Sequence, residues 1–203
     1  AQADFPNGAC GVGLERSWLD TKLLELAQAN EQIEVRLGAW VRDPRLPSEP
    51  GQLAEVELGG EIARAPLLIA ADGCRSPTRR AAGLEAPPPR RTRFGVGGHF
   101  DHAARSDPYV EVFLGAGYEL YTTPVSPTRT NVALLTDQAG IAGLQGRLEE
   151  GLRELLGGSQ GRGLELAGAS LVDRVRSIGP LAQRASRAHG HGLLLVGDAA
   201  GAL

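Results

Sequence analysis

His191-Gly-Leu-Leu-Leu-Val-Gly-Asp-Ala-Ala-Gly-Ala-Leu203 is the stretch on which the reading of this chain turns. Leu193 to Val196 form a short apolar run closed by Gly192 and Gly197, which reads as a strand buried on both faces in a parallel sheet. Gly197 ends the strand, and Asp198 is placed to cap a helix beginning at Ala199. Ala199, Ala200 and Gly201 leave the first turn without bulk, so a ligand can come close to its amides. Open N–H groups at a helix start attract phosphate and other anions, and an Asp there can take a ribose or ribityl hydroxyl. Taken alone, the stretch is equally a capped strand–helix turn with no ligand.

A second stretch has the same form. Leu67-Leu-Ile-Ala-Ala-Asp72-Gly73-Cys74-Arg75-Ser76-Pro77-Thr78-Arg79-Arg80 is an apolar run, then Asp-Gly, then a helix start with Ser76 as N-cap and Pro77 at the first helical position. Two strand–turn–helix units of this kind are expected side by side at the carboxyl edge of one sheet, where open α/β sheets bind ligands.

The pair resembles the D-G-x-x-S-x-x-R and G-D-A-A motifs of FAD-dependent monooxygenases of the para-hydroxybenzoate hydroxylase type. Asp72, Gly73, Ser76 and Arg79 match the first motif; Gly197, Asp198, Ala199 and Ala200 match the second. The resemblance implies a Rossmann-like α/β (α+β) FAD-binding fold, incomplete here, with an antiparallel β-sheet substrate domain inserted in it. It implies FAD contacts at Arg16, Val41, Asp72, Gly73, Arg79, Gly197, Asp198, Ala199, Ala200 and Gly201, and NAD(P)H as reductant. Arg16, Leu19 and Leu23 fit the R-x-x-L-x-x-x-L pattern in which the family's arginine meets the flavin, although a solvated arginine beside a helix cap reads equally well. Val41 is carried over through its backbone atoms, near the adenine end.

Composition narrows the alternatives. Of 203 residues, 42% are hydrophobic and 22% charged, which is globular composition, and a net charge of −3 argues against bulk binding to nucleic acid or anionic membrane. No run approaches the length of a membrane span and no signal-peptide pattern opens the chain. Two distant cysteines make no disulfide framework, so a cytoplasmic setting is expected. There is no methionine, and the chain is expected to be part of a longer one whose upstream βαβ unit carries the G-x-G-x-x-G loop. Gly11-Val-Gly13-Leu-Glu-Arg16 does not serve as that loop, because no strand precedes it and Arg16 stands where the third glycine belongs.

Three segments are expected: residues 1–90 as the part of the FAD-binding domain that carries Asp72-Gly73, 91–140 as the β-sheet substrate domain, and 141–203 as a connecting helix and the return to Gly197-Asp198. Within them, Ser17 and Asp20 predict a capped helix to Asn30. Period-two apolar spacing predicts a meander over 33–65, with turns at Asp43-Pro44, Ser48-Glu-Pro-Gly51 and Gly59-Gly60. A short helix over 77–83 and an extended Pro87-Pro-Pro89 linker follow. Alternation over 92–136 predicts antiparallel strands, turning at Gly115-Ala-Gly117 and Ser126-Pro-Thr128. Ile141, Leu144, Leu148, Leu152 and Leu155 predict one amphipathic helix, and Leu171 to Ile178 one strand before the Gly179-Pro180-Leu181 turn.

Other chemistries find less support. His99-Phe-Asp-His102 and His189-Gly-His191 lack metal-ligand spacing, and no G-x-S-x-G elbow is present. Cys74 reads as a small residue in a tight turn rather than a reactive thiol. The expected protein is therefore an FAD-dependent oxidoreductase, a flavin monooxygenase acting on a small organic substrate, with no catalytic acid or base assignable. A reductase of the geranylgeranyl reductase type is the alternative, since Gly201 stands where aromatic hydroxylases of the family more usually have His. Flavin halogenases are related, but Trp18 and Trp40 cannot form their W-x-W-x-I-P motif. A flavin-fold binding module without turnover is the non-enzymatic alternative.

Overall fold

A computed structural model of the chain describes residues 6–87, 90–104 and 109–201. After a 3-10 turn at Pro6–Gly8 come helix α1 (Arg16–Gln28), strands β1 (Val41–Arg45), β2 (Ala54–Leu58), β3 (Glu61–Ala65) and β4 (Leu68–Ala70), and helix α2 (Pro77–Ala81). Strands β5 (Phe94–Asp101), β6 (Glu111–Gly115), β7 (Tyr118–Ser126) and β8 (Arg129–Thr136) precede helices α3 (Gln138–Gly143), α4 (Leu148–Gly157) and α5 (Arg162–Leu166). Strands β9 (Ser170–Leu171), β10 (Arg176–Ile178), β11 (His189–Gly190) and β12 (Leu193–Leu195) lead to a 3-10 turn at Gly197–Ala199. Pro88 and Pro89 of the expected linker, and Ala202 and Leu203 of the expected last helix, lie outside the described residues.

The chain divides into two compact units, residues 1–34 with 94–179 and residues 35–93 with 180–203. The segment expected over 1–90 thus divides at residue 34, its first part joining the antiparallel sheet.

The first unit is built on a six-stranded sheet in the order β10-β5-β8-β7-β6, with β9 also on β5. Strict alternation sets its two faces. Val96, Phe100, Leu120, Val132 and Leu134 point to one side and pack under Leu144, Leu152, Leu156 and Leu166 of the helical segment. Burying a side chain of this size is worth roughly 1.5–3 kcal/mol, so this is where the unit's stability lies. Both expected hairpin turns form, with Gly117 at φ +80°, a backbone region that favours glycine.

Three expectations for this unit are corrected. The single helix over 141–155 is two: Gly146 at φ +78° breaks it, and α3 and α4 share the apolar stripe. The strand over 171–178 is also two, β9 and β10, both on β5, because Asp173 between them takes the His99 main-chain N–H at 2.9 Å in place of a ladder bond. Helix α1 starts at Arg16, with Glu15 in extended geometry as its N-cap and no side-chain capping bond, so the Ser17–Asp20 box does not form. Asp20 instead accepts from Arg16 Nε at 2.7 Å, one turn away.

The second unit holds an antiparallel sheet, β1-β2-β3, and a smaller one, β11-β12-β4. Residues 33–37 form no strand, so the meander begins at Val41. Asp43-Pro44 does not turn the chain; it lies inside β1 as a bulge, with Asp43 at φ +46° and the register skipping between Arg42 and Arg45. Proline donates no ladder bond and is tolerated on this edge strand. Strands β4 and β12 pair in parallel, Leu68 opposite Leu193 and Ala70 opposite Leu195. Leu193 and Leu195 are buried with Ala70, Leu84 and Ala199, whereas Ile69 and Leu194 are exposed. The expected burial on both faces is thereby corrected to burial on one.

Candidate functional site

Parallel pairing of β4 with β12 brings both turns to the same end of adjacent strands. Val196 N–H continues the ladder to Ala70 O at 3.0 Å, so the chains leave the sheet together at Ala71 and Gly197. On the first turn, Ser76 Oγ accepts from Arg79 N–H at 2.9 Å and caps α2, with Pro77 at its start. Asp72 Oδ2 accepts from Thr78 N–H at 3.0 Å. Burial pushes the Asp72 carboxyl up, but the Ser76 hydroxyl and the amide and hydroxyl of Thr78 outweigh it and hold the group below the ordinary carboxylate value. This aspartate is therefore ionised at neutral pH and is spent on shaping its own turn.

Arg79 joins the two turns. It is 1% exposed, and its guanidinium donates from Nη2 to Cys74 O at 2.5 Å and from Nη1 to Ala199 O at 2.8 Å. Gln183 Oε1 accepts from Nη2 at 3.1 Å, and Asp198 O lies at 3.4 Å from Nη1. These acceptors are all neutral, and Nε is buried without a partner among the described residues. The planar fork is suited to two backbone carbonyls on different turns at once, which an ammonium group cannot match. Arg79 thus positions the turns and is covered by them; beside it lies a cleft of about 210 Å³ bordered by Gln183 and Arg184.

The second turn is described only as far as Gly201, so most of the helix expected from Ala199 lies outside the described residues. Gly197–Ala199 is a 3-10 turn preceded by Val196 in extended geometry. The amides of Ala200 and Gly201 both return to Gly197 O, at 3.0 and 3.2 Å, and so are not presented to a ligand. Gly201 bridges to Arg184, and a Cβ on it would stand 3.3 Å from Arg184 Cβ, so its small size serves packing. Gly73 and Gly197 are different: at φ +81° and +56°, a Cβ on either would meet nothing within 4 Å. Open space therefore flanks both turns, and the Asp198 carboxylate, exposed and without a hydrogen bond among the described residues, is a ready acceptor for hydroxyl groups.

The remaining predicted positions are on other elements. Val41 opens β1 on the three-stranded antiparallel sheet, opposite Leu58, and is exposed. Arg16 belongs to the other unit, with its side chain 82% exposed and paired to Asp20.

That unit has a cluster the sequence did not announce. The sheet face opposite the helices carries Gly95, Gly97, His99 and Asp101 of β5, each facing Leu135, Ala133, Asn131 and Arg129 of β8 in turn. Tyr121 flanks Ala133 on β7, and Arg176 flanks Gly97 on β10. Two glycines and an alanine at the centre leave a depression of about 480 Å³. At its end, His99 Nδ1 lies 3.2 Å from Asp173 Oδ2 and its Nε2 lies 3.2 Å from Asn131 Nδ2. Burial pushes the Asp173 carboxyl up, and the main-chain N–H and ring of His99 bring it below its ordinary value. Arg129 grips Asp101 through two bonds, at 2.7 and 3.1 Å, and Glu15 through a third at 2.8 Å. No local motif joins His99 to Asp173, 74 residues away, so only the paired strands could reveal the cluster.

No helix among the described residues is long and apolar enough to cross a membrane. By sequence, the chain matches no family profile and no curated protein. By structure it is similar to a flavoprotein/dehydrogenase from Cytophaga hutchinsonii, with a TM-score of 0.80 and 20% identity over 93% of this chain and 47% of that one. It is similar to CmlS, a flavin-dependent halogenase, with a TM-score of 0.78 and 21% identity over 93% and 36% of the two chains. A geranylgeranyl bacteriochlorophyll reductase-like protein from Thermoplasma acidophilum gives 0.70 and 23% over 91% and 47%. The chain spans about half the length of these solved proteins, or less. The likeness shows the fold: an α/β arrangement of the Rossmann-like FAD-binding kind, with an antiparallel sheet whose strands fall in sequence between the two strands of the parallel pair.

Proposed function

We propose that the chain belongs to an FAD-dependent oxidoreductase acting on a small organic substrate. The observation that carries this reading is the Arg79-pinned pair of turns at the carboxyl ends of two adjacent parallel strands, with open space beside Gly73 and Gly197. Asp198 would accept hydroxyl hydrogen bonds from the cofactor's ribityl or pyrophosphate region. Asp72, held ionised by Ser76 and Thr78, keeps the first turn in shape, and Arg79 keeps the two turns together. Bound FAD supplies the redox chemistry, and the protein contributes orientation and shielding. The antiparallel sheet, with its glycine-floored depression, is the substrate side.

Monooxygenation with NAD(P)H as reductant is the reaction this reading puts first. Reduction of a carbon–carbon double bond is the second, favoured by Gly201 at the position where a histidine is more usual in aromatic hydroxylases. The test of the cofactor assignment is Asp198→Ala in the protein as its gene encodes it. Losing one buried polar interaction costs about 1–3 kcal/mol, a fall in FAD affinity of roughly five- to 150-fold. The variant should lose its visible flavin absorbance on desalting while the wild type keeps it. A wild-type protein that takes up no FAD, or a variant that holds it equally well, overturns the assignment.

A further inference from the structure

The depression on the open sheet face is bordered by Asn131 on β8 and by Arg176 and Ser177 on β10. Its floor is Gly95, Gly97 and Ala133, and Asn131 borders it. Glycine inside a strand weakens it unless something must approach the backbone closely. A Cβ on Gly97 would stand 2.7 Å from Val132 O, so that floor cannot be raised without moving the sheet.

Asn131 does not stand alone. Asp173 takes the His99 main-chain N–H on Oδ1 at 2.9 Å and the ring on Oδ2 at 3.2 Å. A carboxylate accepts and does not donate, so Nδ1 carries a ring proton, and in the neutral ring Nε2 keeps its lone pair. Nε2 therefore accepts from the Asn131 amide nitrogen, 3.2 Å away. With its NH₂ group turned to His99, Asn131 offers its carbonyl oxygen as the acceptor left for a ligand.

The geometry points to a recognition device in which Asp173 and His99 are positioning residues that fix the Asn131 amide, so that the depression selects a flat molecule presenting an N–H or O–H to the Asn131 carbonyl. A ligand offering only an acceptor leaves the Asn131 carbonyl unpaired and gains nothing there. This deepens the proposed reading of the sheet as the substrate side and rests on it. It requires nothing of the two turns, so the two can fail separately.

The test uses three probes on the full protein, followed by titration calorimetry: indole, 3-methylindole and 1-methylindole. The first two keep the N–H, and the third caps it at equal size to the second. One hydrogen bond corresponds to about tenfold in affinity. Indole and 3-methylindole should bind at least about tenfold more tightly than 1-methylindole. His99→Phe removes the acceptor that holds the amide, and Asp173→Asn weakens the tautomer; each should cut the preference to about twofold or less. Asn131→Asp introduced into the His99→Phe protein should restore it, because a carboxylate accepts in either orientation. A purely structural role for His99 would instead weaken all three probes in parallel and allow no such rescue. Equal binding of the probes by the wild type, binding of none, a preference that survives His99→Phe, or failure of the rescue each overturns the proposal. FAD retention measured on the same samples reports separately on the cofactor reading.

Discussion

Replacing Arg79 with Met keeps most of the side-chain volume and removes the fork that joins the turns. Three short bonds are lost, to Cys74 O, Ala199 O and Gln183 Oε1. Hydrogen bonds to a charged group contribute about 1.5–3 kcal/mol each, so the gross loss is roughly 5–9 kcal/mol. Against it stands the cost of burying a guanidinium that has, among the described residues, no carboxylate counter-ion and no partner for Nε, which is several kcal/mol and disappears with the charge. The difference is a net destabilisation of about 2–4 kcal/mol, confined to residues 35–93 with 180–203. Because the chain has two units, a single unfolding midpoint is a poor measure, and amide hydrogen exchange is the better assay. The Val196 amide, which bonds Ala70 O, and the Arg79 amide, which bonds Ser76 Oγ, should exchange about thirty- to several-hundredfold faster where exchange follows unfolding of this unit. Amides of β5 and β8 should be unchanged. Arg79→Lys should recover little, since a single ammonium cannot reach both turns in the plane of the fork. A Met variant within about 0.5 kcal/mol of wild type, with unchanged exchange at Val196, would refute the claim that Arg79 holds the turns together.

Ser76→Ala removes the cap on α2 and one bond to Asp72, and should cost about 1–2 kcal/mol in urea unfolding of the second unit. Gly97→Val drives a side chain into the Val132 carbonyl and should destabilise the antiparallel sheet by about 1–3 kcal/mol, seen as lost protection along β5 and β8. The Asp72 carboxyl is depressed in the folded protein, so its contribution is present above its unfolded value and is lost as pH falls through the folded one. Unfolding midpoints of wild type and Asp72→Asn, compared from about pH 7 to about pH 3, should therefore converge on acidification; a constant difference would show that the carboxylate's bonds do not stabilise the turn.

Much of this protein can be read along the chain, and the reason is locality. Each strand–turn unit is written in fewer than fifteen consecutive residues: an apolar run and a glycine to turn it, followed in the first unit by a capping serine and a proline. Ser76 and Pro77 take the predicted places because capping is decided within one turn of helix. The alternation over 92–136 predicts the four long strands for the same reason, since a period of two needs only neighbours. Where a local signal has two outcomes, tertiary context chose. Asp43-Pro44 became a bulge because β2 lay alongside to keep the strand extended. The apolar stripe over 141–155 was divided at Gly146, whose positive φ periodicity does not register.

Only the assembled structure could decide what the polar residues do. The motif placed Arg79 among the cofactor contacts, and in the structure its buried guanidinium donates to Cys74 O on its own turn and to Ala199 O on a turn 120 residues away. Asp198, read as a helix cap, presents an exposed side chain at the 3-10 turn. His99, Asn131 and Asp173 are unremarkable in sequence and meet only because β5 pairs with β8 on one side and with β9 and β10 on the other. Backbone conformation follows from short-range sterics and capping, which a few adjacent residues carry. A hydrogen-bonded side-chain cluster depends on strand register, and register is settled by the whole sheet.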